Sequence, residues 1–295
     1  MKIYLKNTVV ALTTLALSTT TQAAVVFTDD FSYTDGQSLG SSADWNVKWQ
    51  SNSDQQNLVN ATSSGTVVLD TSIAQNNYHA VNQTGFSLSN DETATLSIDF
   101  RFTHNATGTQ LDPFVGNAGF FGLGIAGNNQ WYQNPHANLR IGNRGKGNAL
   151  GFMTTGSPQG WLSWNTTAGF NPKAADFAGA TSNWLTQELT IAVNGGNYTI
   201  QARLLDASGT QLFETTAMNT ALTAGSTVYS EFTTGYTGST GVPAGETVES
   251  MSGISSVEVD NFSLDLSAAV VPEPSTYAML IGLCSFGFVL IRRKK

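Results

Sequence analysis

The stretch that decides the fold is Thr93-Ala94-Thr95-Leu96-Ser97-Ile98-Asp99-Phe100-Arg101-Phe102-Thr103. Apolar residues occupy every second position from Leu96 to Phe102, and polar or charged residues occupy the positions between them. Because successive side chains of a β-strand point to opposite faces, this pattern predicts a strand with one face in a core and the other in water.

The same alternation predicts a meander of three strands further along the chain. Residues 189–193 alternate up to the turn Asn194-Gly195-Gly196-Asn197, and residues 198–204 alternate after it. Because Gly and Asn adopt the backbone angles that two-residue turns need, these segments predict a hairpin. A second reversal at 206–209 predicts a third strand over 211–215.

A closing strand is predicted over 257–266, where Asp260-Asn261 shifts the alternation by one position, as a β-bulge does. Six further segments have the composition of short strands: 25–27, 66–69, 120–125, 139–141, 150–153 and 228–232. About ten strands with Gly, Asn, Ser and Thr turns predict an all-β fold, a two-sheet antiparallel sandwich of the jelly-roll type.

The N-terminal end has the composition of a secretory signal. Lys2 and Lys6 precede an apolar run over 9–17, and Thr21-Gln22-Ala23 places small residues where a signal peptidase requires them. We expect a cleavable signal peptide over 1–23. The alternative, an N-terminal membrane anchor, needs a longer apolar run.

The C-terminal end combines three features in order. Pro272-Glu273-Pro274 is followed by an apolar segment over 277–291 and then by Arg292-Arg293-Lys294-Lys295. As a transmembrane helix the apolar segment reaches roughly 22 Å, short of the ~30 Å hydrocarbon core. The basic terminus favours a cytoplasmic end, with the body of the protein outside.

This tail resembles the PEP-CTERM sorting signal of Gram-negative bacteria, over residues 271–295. The resemblance implies a processing enzyme of the exosortase type as a partner, in species that export exopolysaccharide. It also implies export, transient anchoring in the inner membrane, and then a place at the cell surface or outside the cell. The alternative is a plain tail anchor that follows a Pro-Glu-Pro.

Between the two targeting segments we expect one domain. The predicted units are the signal peptide over 1–23, a β-sandwich over 24–267, and a linker with the sorting signal over 268–295. From 24 to 271 the chain has 7 basic and 20 acidic residues, a net charge of about −13, and no cysteine. This charge argues against nucleic acid as a partner, and the lack of cysteine excludes disulfides within the body.

Two acidic motifs resemble the first and last strands of bacterial concanavalin-like lectin and glucanase jelly rolls. They are Asp29-Asp30-Phe31-Ser32-Tyr33-Thr34-Asp35-Gly36, with Trp45 after it, and Val259-Asp260-Asn261-Phe262-Ser263-Leu264. The resemblance implies that the two strands are neighbours, so that their acidic residues could meet. Asp29, Asp30 and Asp260 would then offer oxygen ligands to Ca²⁺, the one cofactor considered; the alternative is solvated turn acids.

A glycan-cleaving enzyme of this fold needs acids that alternate along one strand. Laminarinase-like jelly rolls keep Glu-x-Asp-x-Glu, and the nearest match here, Glu258-Val259-Asp260, has Phe262 in the third position. Val257 and Val259 should also face the core. Gly122-Leu123-Gly124 is interpreted as a strand with a close neighbour, not as a phosphate-binding loop. We therefore expect a protein that is not an enzyme, although an unrecognised carboxylate pair stays an alternative.

Sugar recognition is the better-supported expectation, because one stretch combines flat aromatic faces with Asn, Gln and Arg donors. The candidate sugar-binding residues are Trp131, Tyr132, Arg140, Arg144, Trp161 and Trp164. The alternative is that these aromatic residues pack in the core or in loops; for Trp45, Trp49 and Trp184 we expect a position in the core. The predicted function is a non-catalytic module that binds or organises extracellular polysaccharide; a structural coat or adhesion protein without a sugar site is the alternative.

Overall fold

Alternating apolar and polar residues form β-strands throughout the part of the chain that the structure describes. The structure, a computed structural model, describes residues 24–49, 59–70, 78–104, 119–128, 136–143, 148–154, 164–165, 181–236 and 254–267. These residues form sixteen strands and one turn of 3-10 helix, Leu39–Ser41, all within the compact unit Ala23–Ala268. None of their helices is long and apolar enough to cross a membrane.

The strands are, in chain order, β1 (Ala24–Asp29), β2 (Trp45–Trp49), β3 (Val59–Ala61), β4 (Val67–Asp70), β5 (Tyr78–Phe86), β6 (Thr93–His104), β7 (Gly119–Ala126), β8 (His136–Asn143), β9 (Asn148–Thr154), β10 (Trp164–Asn165), β11 (Leu185–Asn194), β12 (Asn197–Asp206), β13 (Gln211–Glu214), β14 (Met218–Thr223), β15 (Val228–Tyr236) and β16 (Ile254–Ser267).

The strands form two antiparallel sheets, which confirms the predicted sandwich. The nine-stranded sheet has the order β13-β12-β11-β6-β16-β4-β3, with β1 beside β16 and β14 beside β12. The seven-stranded sheet has the order β10-β9-β8-β7-β15-β5-β2. The predicted helix over 277–291 lies outside the described residues.

The core lies between the sheets, where the apolar residues of the deciding stretch are buried as predicted. Phe100 of β6 stacks on Phe121 of β7 with ring centroids 4.6 Å apart, so the two sheets meet directly. Trp45 meets Phe232 and Phe262 edge-on at 5.0 and 4.9 Å. Each such buried aromatic side chain stabilises the fold by about 1.5–3 kcal/mol.

The predicted hairpin and bulge are both confirmed. β11 and β12 pair from Leu185↔Asp206 to Asn194↔Asn197, and the turn glycines Gly195 and Gly196 have φ of 60° and 87°. These positive angles fit a type I′ turn, which matches the twist of the strands. In β16 the register shifts between Asp260 and Ser263, and Asn261 adopts a positive φ of 49° that Asn tolerates.

The first and last strands are neighbours, as the resemblance implied. β1 pairs antiparallel with β16 from Ala24↔Leu266 to Asp29↔Phe262. β16 also pairs with β6 and β4, so the last strand of the body lies inside the nine-stranded sheet.

Five strands are not predicted by the sequence pattern: β2, β3, β5, β10 and β14. Three of them, β2, β5 and β10, belong to the seven-stranded sheet, whose composition departs most from simple alternation. That sheet carries the site described next.

Candidate functional site

The face of the seven-stranded sheet opposite the core is polar. Phe121, Leu123 and Ile125 of β7 are buried in the core, so Gly122 and Gly124 between them occupy the other face. Directly opposite residues in a sheet share a face, which adds the partners of these glycines on the strands to either side. The polar face, as defined here, comprises Gly122 and Gly124, the positions opposite them, and His79, which is opposite Thr233. The positions opposite the glycines are Asn138, Arg140, Glu231 and Thr233; the apolar Val81, opposite Glu231, shares this face.

A buried hydrogen-bond network lies on the polar face. Nδ1 of His79 is 3.1 Å from Oε2 of Glu231, and the side chains of both residues are 1% exposed. Nδ2 of Asn138 donates to Oε1 of Glu231 at 2.9 Å. Both oxygens of the Glu231 carboxylate therefore have a partner, which is the condition under which a carboxylate is tolerated away from water.

Gly124 makes room for this network. Glu231 lies on β15 and Asn138 on β8, the two strands that flank β7, and both are opposite Gly124. A Cβ at position 124 would lie 2.3 Å from the carbonyl oxygen of Ala137 and 2.6 Å from Cα of Asn138. The missing side chain lets the two polar side chains meet above β7, and it confirms that Gly122-Leu123-Gly124 marks a strand with a close neighbour.

Two of the predicted sugar-binding residues occupy positions in one row across this sheet. His79 is opposite Thr233, Thr233 is opposite Gly122, and Gly122 is opposite Arg140. The row continues from Arg140 to Gly151 and from Gly151 to Trp164. The register thus brings residues 140 and 164 into the row that begins at His79.

The remaining sequence-predicted residues of the sugar site and the sorting signal lie outside the described residues. These are Trp131, Tyr132, Arg144 and Trp161, together with Pro272, Glu273, Pro274, Arg292, Arg293, Lys294 and Lys295. Sequence reasoning missed His79, Asn138 and Glu231. The sequence signal closest to them is the pair of glycines at 122 and 124, since a strand that lacks side chains on one face implies close neighbours on that face.

The candidate calcium ligand Asp29 is occupied by hydrogen bonds within the fold. Its carboxylate accepts from the hydroxyl of Tyr33 and from Nε1 of Trp45, both at 2.6 Å, and from the backbone N–H of Phe31 at 2.8 Å. These contacts hold Phe31 at a φ of 51°, with its side chain buried. Burial and the hydrogen bond to Asp29 raise the pKa of Tyr33 far above its usual value.

The other two candidate ligands, Asp30 and Asp260, lie close enough to influence each other. Burial raises the pKa of the Asp260 carboxyl, and the negative charges of Asp99, Asp30 and Glu258 raise it further. Within the described ranges, no group of three or more His, Cys, Asp or Glu is arranged to hold a metal ion. Calcium binding at Asp29, Asp30 and Asp260 stays a prediction.

The glucanase-like sequence Glu258-Val259-Asp260 lies on the nine-stranded sheet. Glu258 accepts hydrogen bonds from Nε of Arg101 and from Oγ1 of Thr66, both at 2.6 Å, while Val259 is buried as predicted. The Arg101 guanidinium lies 4.5 Å from the ring centroid of Trp184, which is half-buried. The expectation of a core position is therefore wrong for Trp184 and right for Trp45; the side chain of Trp49 lies outside the described set.

Comparisons with known proteins identify the tail and the fold. Residues 270–294 match the PEP-CTERM protein-sorting motif. A basic winged bean lectin with Tn-antigen superposes with a TM-score of 0.52 and 10% identity, covering 83% of this chain and 99% of the lectin. A winged bean acidic lectin complexed with methyl-α-D-galactose superposes with a TM-score of 0.49 and 10% identity, covering 83% of this chain and 98% of the lectin.

A third solved structure comes from work on endo-acting O-glycanases of the human gut microbiota, with a TM-score of 0.46, 12% identity, and coverage of 82% and 98%. No curated protein sequence matches the chain. The motif marks proteins that cross the inner membrane and are held there transiently by the C-terminal tail, before they reach the surface or the outside. The chain is thus an exported protein in which a PEP-CTERM sorting motif follows a β-sandwich of the lectin-like jelly-roll fold.

Proposed function

We propose that this protein is a non-catalytic module that binds extracellular polysaccharide, and that its binding positions are Arg140 of β8 and Trp164 of β10, to one side of the buried centre of the seven-stranded sheet. The observation that carries the proposal is the row of directly opposite residues from His79 to Trp164. In this row Arg140 of β8 and Trp164 of β10 follow Gly122 of β7, which has no side chain. The sorting motif supports it, because an exported surface protein meets polysaccharide. The lectin-like fold is compatible with it.

Sugar binding at positions 140 and 164 has a simple chemical basis. The C–H side of a pyranose packs on an aromatic ring, and its hydroxyls take hydrogen bonds from Arg and Asn donors. Trp164 and Arg140 supply these groups in the proposal. Glu231 of β15, held by His79 of β5 and by Asn138 of β8 across β7, ties together the strands beside the proposed site, and a rigid site loses less entropy on binding.

Binding is favoured over hydrolysis by the distribution of acids. Glycoside hydrolysis ordinarily needs two carboxyl groups about 5–10 Å apart in one cleft. The seven described strands of this sheet contain one acidic residue, Glu231, and both of its carboxylate oxygens are hydrogen-bonded. A hydrolase would have to draw its second acid from outside these strands.

The test is retention of the purified protein on the exopolysaccharide of its own host. We expect Trp164→Ala and Arg140→Ala to lower the affinity about tenfold each, since one aromatic or bidentate contact is worth about 1–3 kcal/mol. Trp131→Ala and Trp161→Ala test the rest of the predicted site. Trp184→Ala is the matched control, because Trp184 directly precedes β11 of the other sheet and its ring lies beneath Arg101.

Each outcome separates the candidate functions. Loss of retention in the seven-stranded-sheet variants, with Trp184→Ala unchanged, supports the proposed site. Loss with a chelator alone implicates Asp29, Asp30 and Asp260 instead. If the unaltered protein is not retained with or without calcium, the proposal fails, and a structural coat or adhesion protein is the better interpretation.

A further inference from the structure

The two sheets differ in the sign of the charge that their described strands carry. The strands of the nine-stranded sheet contain nine acidic residues and two basic ones, Arg101 and Arg203, a net charge of −7 with neutral histidines. The strands of the seven-stranded sheet contain one acidic residue, Glu231, and two basic ones, Lys48 and Arg140, a net charge of +1. The negative charge of these strands thus belongs to one sheet.

Both basic residues of the nine-stranded sheet are neutralised within it. Arg101 forms an ion pair with Glu258, which accepts from Nε of Arg101 at 2.6 Å. Arg203 forms an ion pair with Glu188 of the neighbouring strand. The two ion pairs use both cations of these described strands, so the sheet keeps an excess of seven negative charges and repels anions.

The seven-stranded sheet has the opposite arrangement. Its acidic residue, Glu231, is buried, and His79 and Asn138 hold both of its carboxylate oxygens. Position 140 lies on the polar face opposite Gly122, and position 48 shares that face because it is opposite His79. In this sheet the acid is therefore enclosed, while the two basic positions lie on the side away from the core.

The negative charge elsewhere in the body acts only weakly at these positions. Packed sheets are about 10 Å apart, and the Debye length at physiological ionic strength is about 8 Å. The exposed Asp44 precedes β2, and four residues of extended chain, about 13 Å, separate it from position 48. An anion that approaches the polar face is therefore influenced mainly by the basic positions of that face.

We propose that the polysaccharide bound by the seven-stranded sheet is acidic, and that its carboxylates contact the basic positions 48 and 140. This inference rests on the proposed function and names the chemical class of its ligand. Arginine binds a carboxylate through two parallel hydrogen bonds, and lysine attracts it as a point charge. The two positions lie on either side of the buried centre, four strand spacings or about 19 Å apart. A polymer that repeats its charge along the chain offers a carboxylate to each of them.

The test compares two forms of one polysaccharide that differ in charge. Exopolysaccharide of the host is immobilised either unchanged or after chemical reduction of its carboxylates to alcohols, and retention of the full-length protein is measured. Polygalacturonate and its carboxyl-reduced form are a second pair, of known composition. We expect each reduced form to bind at least tenfold more weakly than its acidic parent. The difference should shrink in 1 M salt, because salt screens exposed charges.

Three variants locate the effect on the seven-stranded sheet. Lys48→Gln and Arg140→Gln remove one positive charge each and retain hydrogen-bond donors. Each should lower the affinity for the acidic form about threefold to tenfold, with a smaller loss for the reduced form. Arg203→Gln is the matched control, since it removes the same charge from the other sheet, where Arg203 is paired with Glu188. Its affinity for the acidic form should equal that of the parent.

The results distinguish this inference from the proposed function. Equal retention on the acidic and reduced forms, or stronger retention on the reduced forms, overturns the acidic ligand and leaves polysaccharide binding in place. A loss in Arg203→Gln as large as that in Arg140→Gln also overturns it, since the effect would then follow the net charge of the protein. If none of the four polysaccharides retains the unaltered protein, both proposals fail.

Discussion

The two sheets of this protein use their outward faces in opposite ways. On the nine-stranded sheet the outward charges keep part of their surface in water: Arg101 is 32% exposed and Glu258 12%, and they form an ion pair. On the seven-stranded sheet His79 and Glu231 are 1% exposed, although they lie opposite the core. The first sheet has one wet face and one dry face, whereas the second is buried on both faces around its centre. Replacing an outward polar residue should therefore change the free energy of unfolding more on the seven-stranded sheet than on the nine-stranded sheet.

The largest expected effect comes from breaking the buried network. Glu231→Ala leaves His79 and Asn138 without their shared acceptor, and removal of one member of a buried pair typically costs about 3–5 kcal/mol. The free energy of unfolding, from urea titration, measures it. Glu231→Gln retains an acceptor oxygen and should lose less. A loss below about 1 kcal/mol for Glu231→Ala would show that the two sheets do not differ in this respect.

The next effect comes from filling the gap above β7. Gly124→Ala places a Cβ against backbone atoms of β8, and overpacking of this kind costs about 1–3 kcal/mol. Gly85→Ala is the matched control. Its Cβ would meet side-chain atoms of Thr227 and Tyr229, which lie at least partly in water and can move. The midpoint of thermal unfolding should lie well lower for Gly124→Ala than for Gly85→Ala, and the reverse order would contradict the close approach of β7 and β8.

A smaller effect is expected when the solvated pair is broken. Glu258→Ala removes the acceptor of Arg101 and of the Thr66 hydroxyl; water can reach the partly exposed Arg101, and the Thr66 hydroxyl keeps Thr62 as a partner. Exposed or partly exposed ion pairs contribute about 0–1 kcal/mol, and salt reduces that contribution. The change in stability should shrink further in 1 M salt. A loss as large as that of Glu231→Ala would refute the distinction drawn between the sheets.

The smallest effect should have the opposite sign. The pKa of Asp260 is raised above its ordinary value of 3.8, first by burial and then by Asp99, Asp30 and Glu258, so ionised Asp260 disfavours the folded state. Asp260→Asn should therefore stabilise the protein at pH 7, by less than about 0.5 kcal/mol because the site is largely solvated. The gain should appear as the pH rises through the raised pKa and vanish below pH 3.8, where both states are protonated. The free energy of unfolding of Asp260→Asn and of the parent is measured at pH 3 and at pH 7. An equal difference between the two proteins at both pH values would contradict the prediction that ionised Asp260 disfavours the folded state.

The same contrast explains how much of the fold was predictable. The strand around Phe100 was predicted because its outward residues meet water and its inward residues do not, so the period of two is visible. The hairpin at Gly195-Gly196 was predicted because its turn chemistry is local. β5 was missed because it buries His79 and Val81 on one face and Ala80 and Asn82 on the other, which erases the alternation.

The candidate site was harder to predict for a related reason. His79 and Glu231 meet only because β5 and β15 pair in one register, and 152 positions separate them in the chain. No local pattern encodes such a contact. Arg140 and Trp164 were selected for their chemistry, and the register then brings their positions into one row. Their role in sugar binding stays a prediction.

The interior position of β16 has a consequence for the order of events during export. The chain emerges from its N-terminus first, yet the nine-stranded sheet needs its last strand, between β6 on one side and β4 and β1 on the other. Pairings such as Asp29 with Phe262 span almost the whole domain, and contacts of such sequence separation form late and slowly. The sheet therefore cannot close until the residues just ahead of the sorting motif have crossed. The domain therefore completes its folding only after its last strand has crossed the membrane, and until then the chain stays unfolded enough to be translocated.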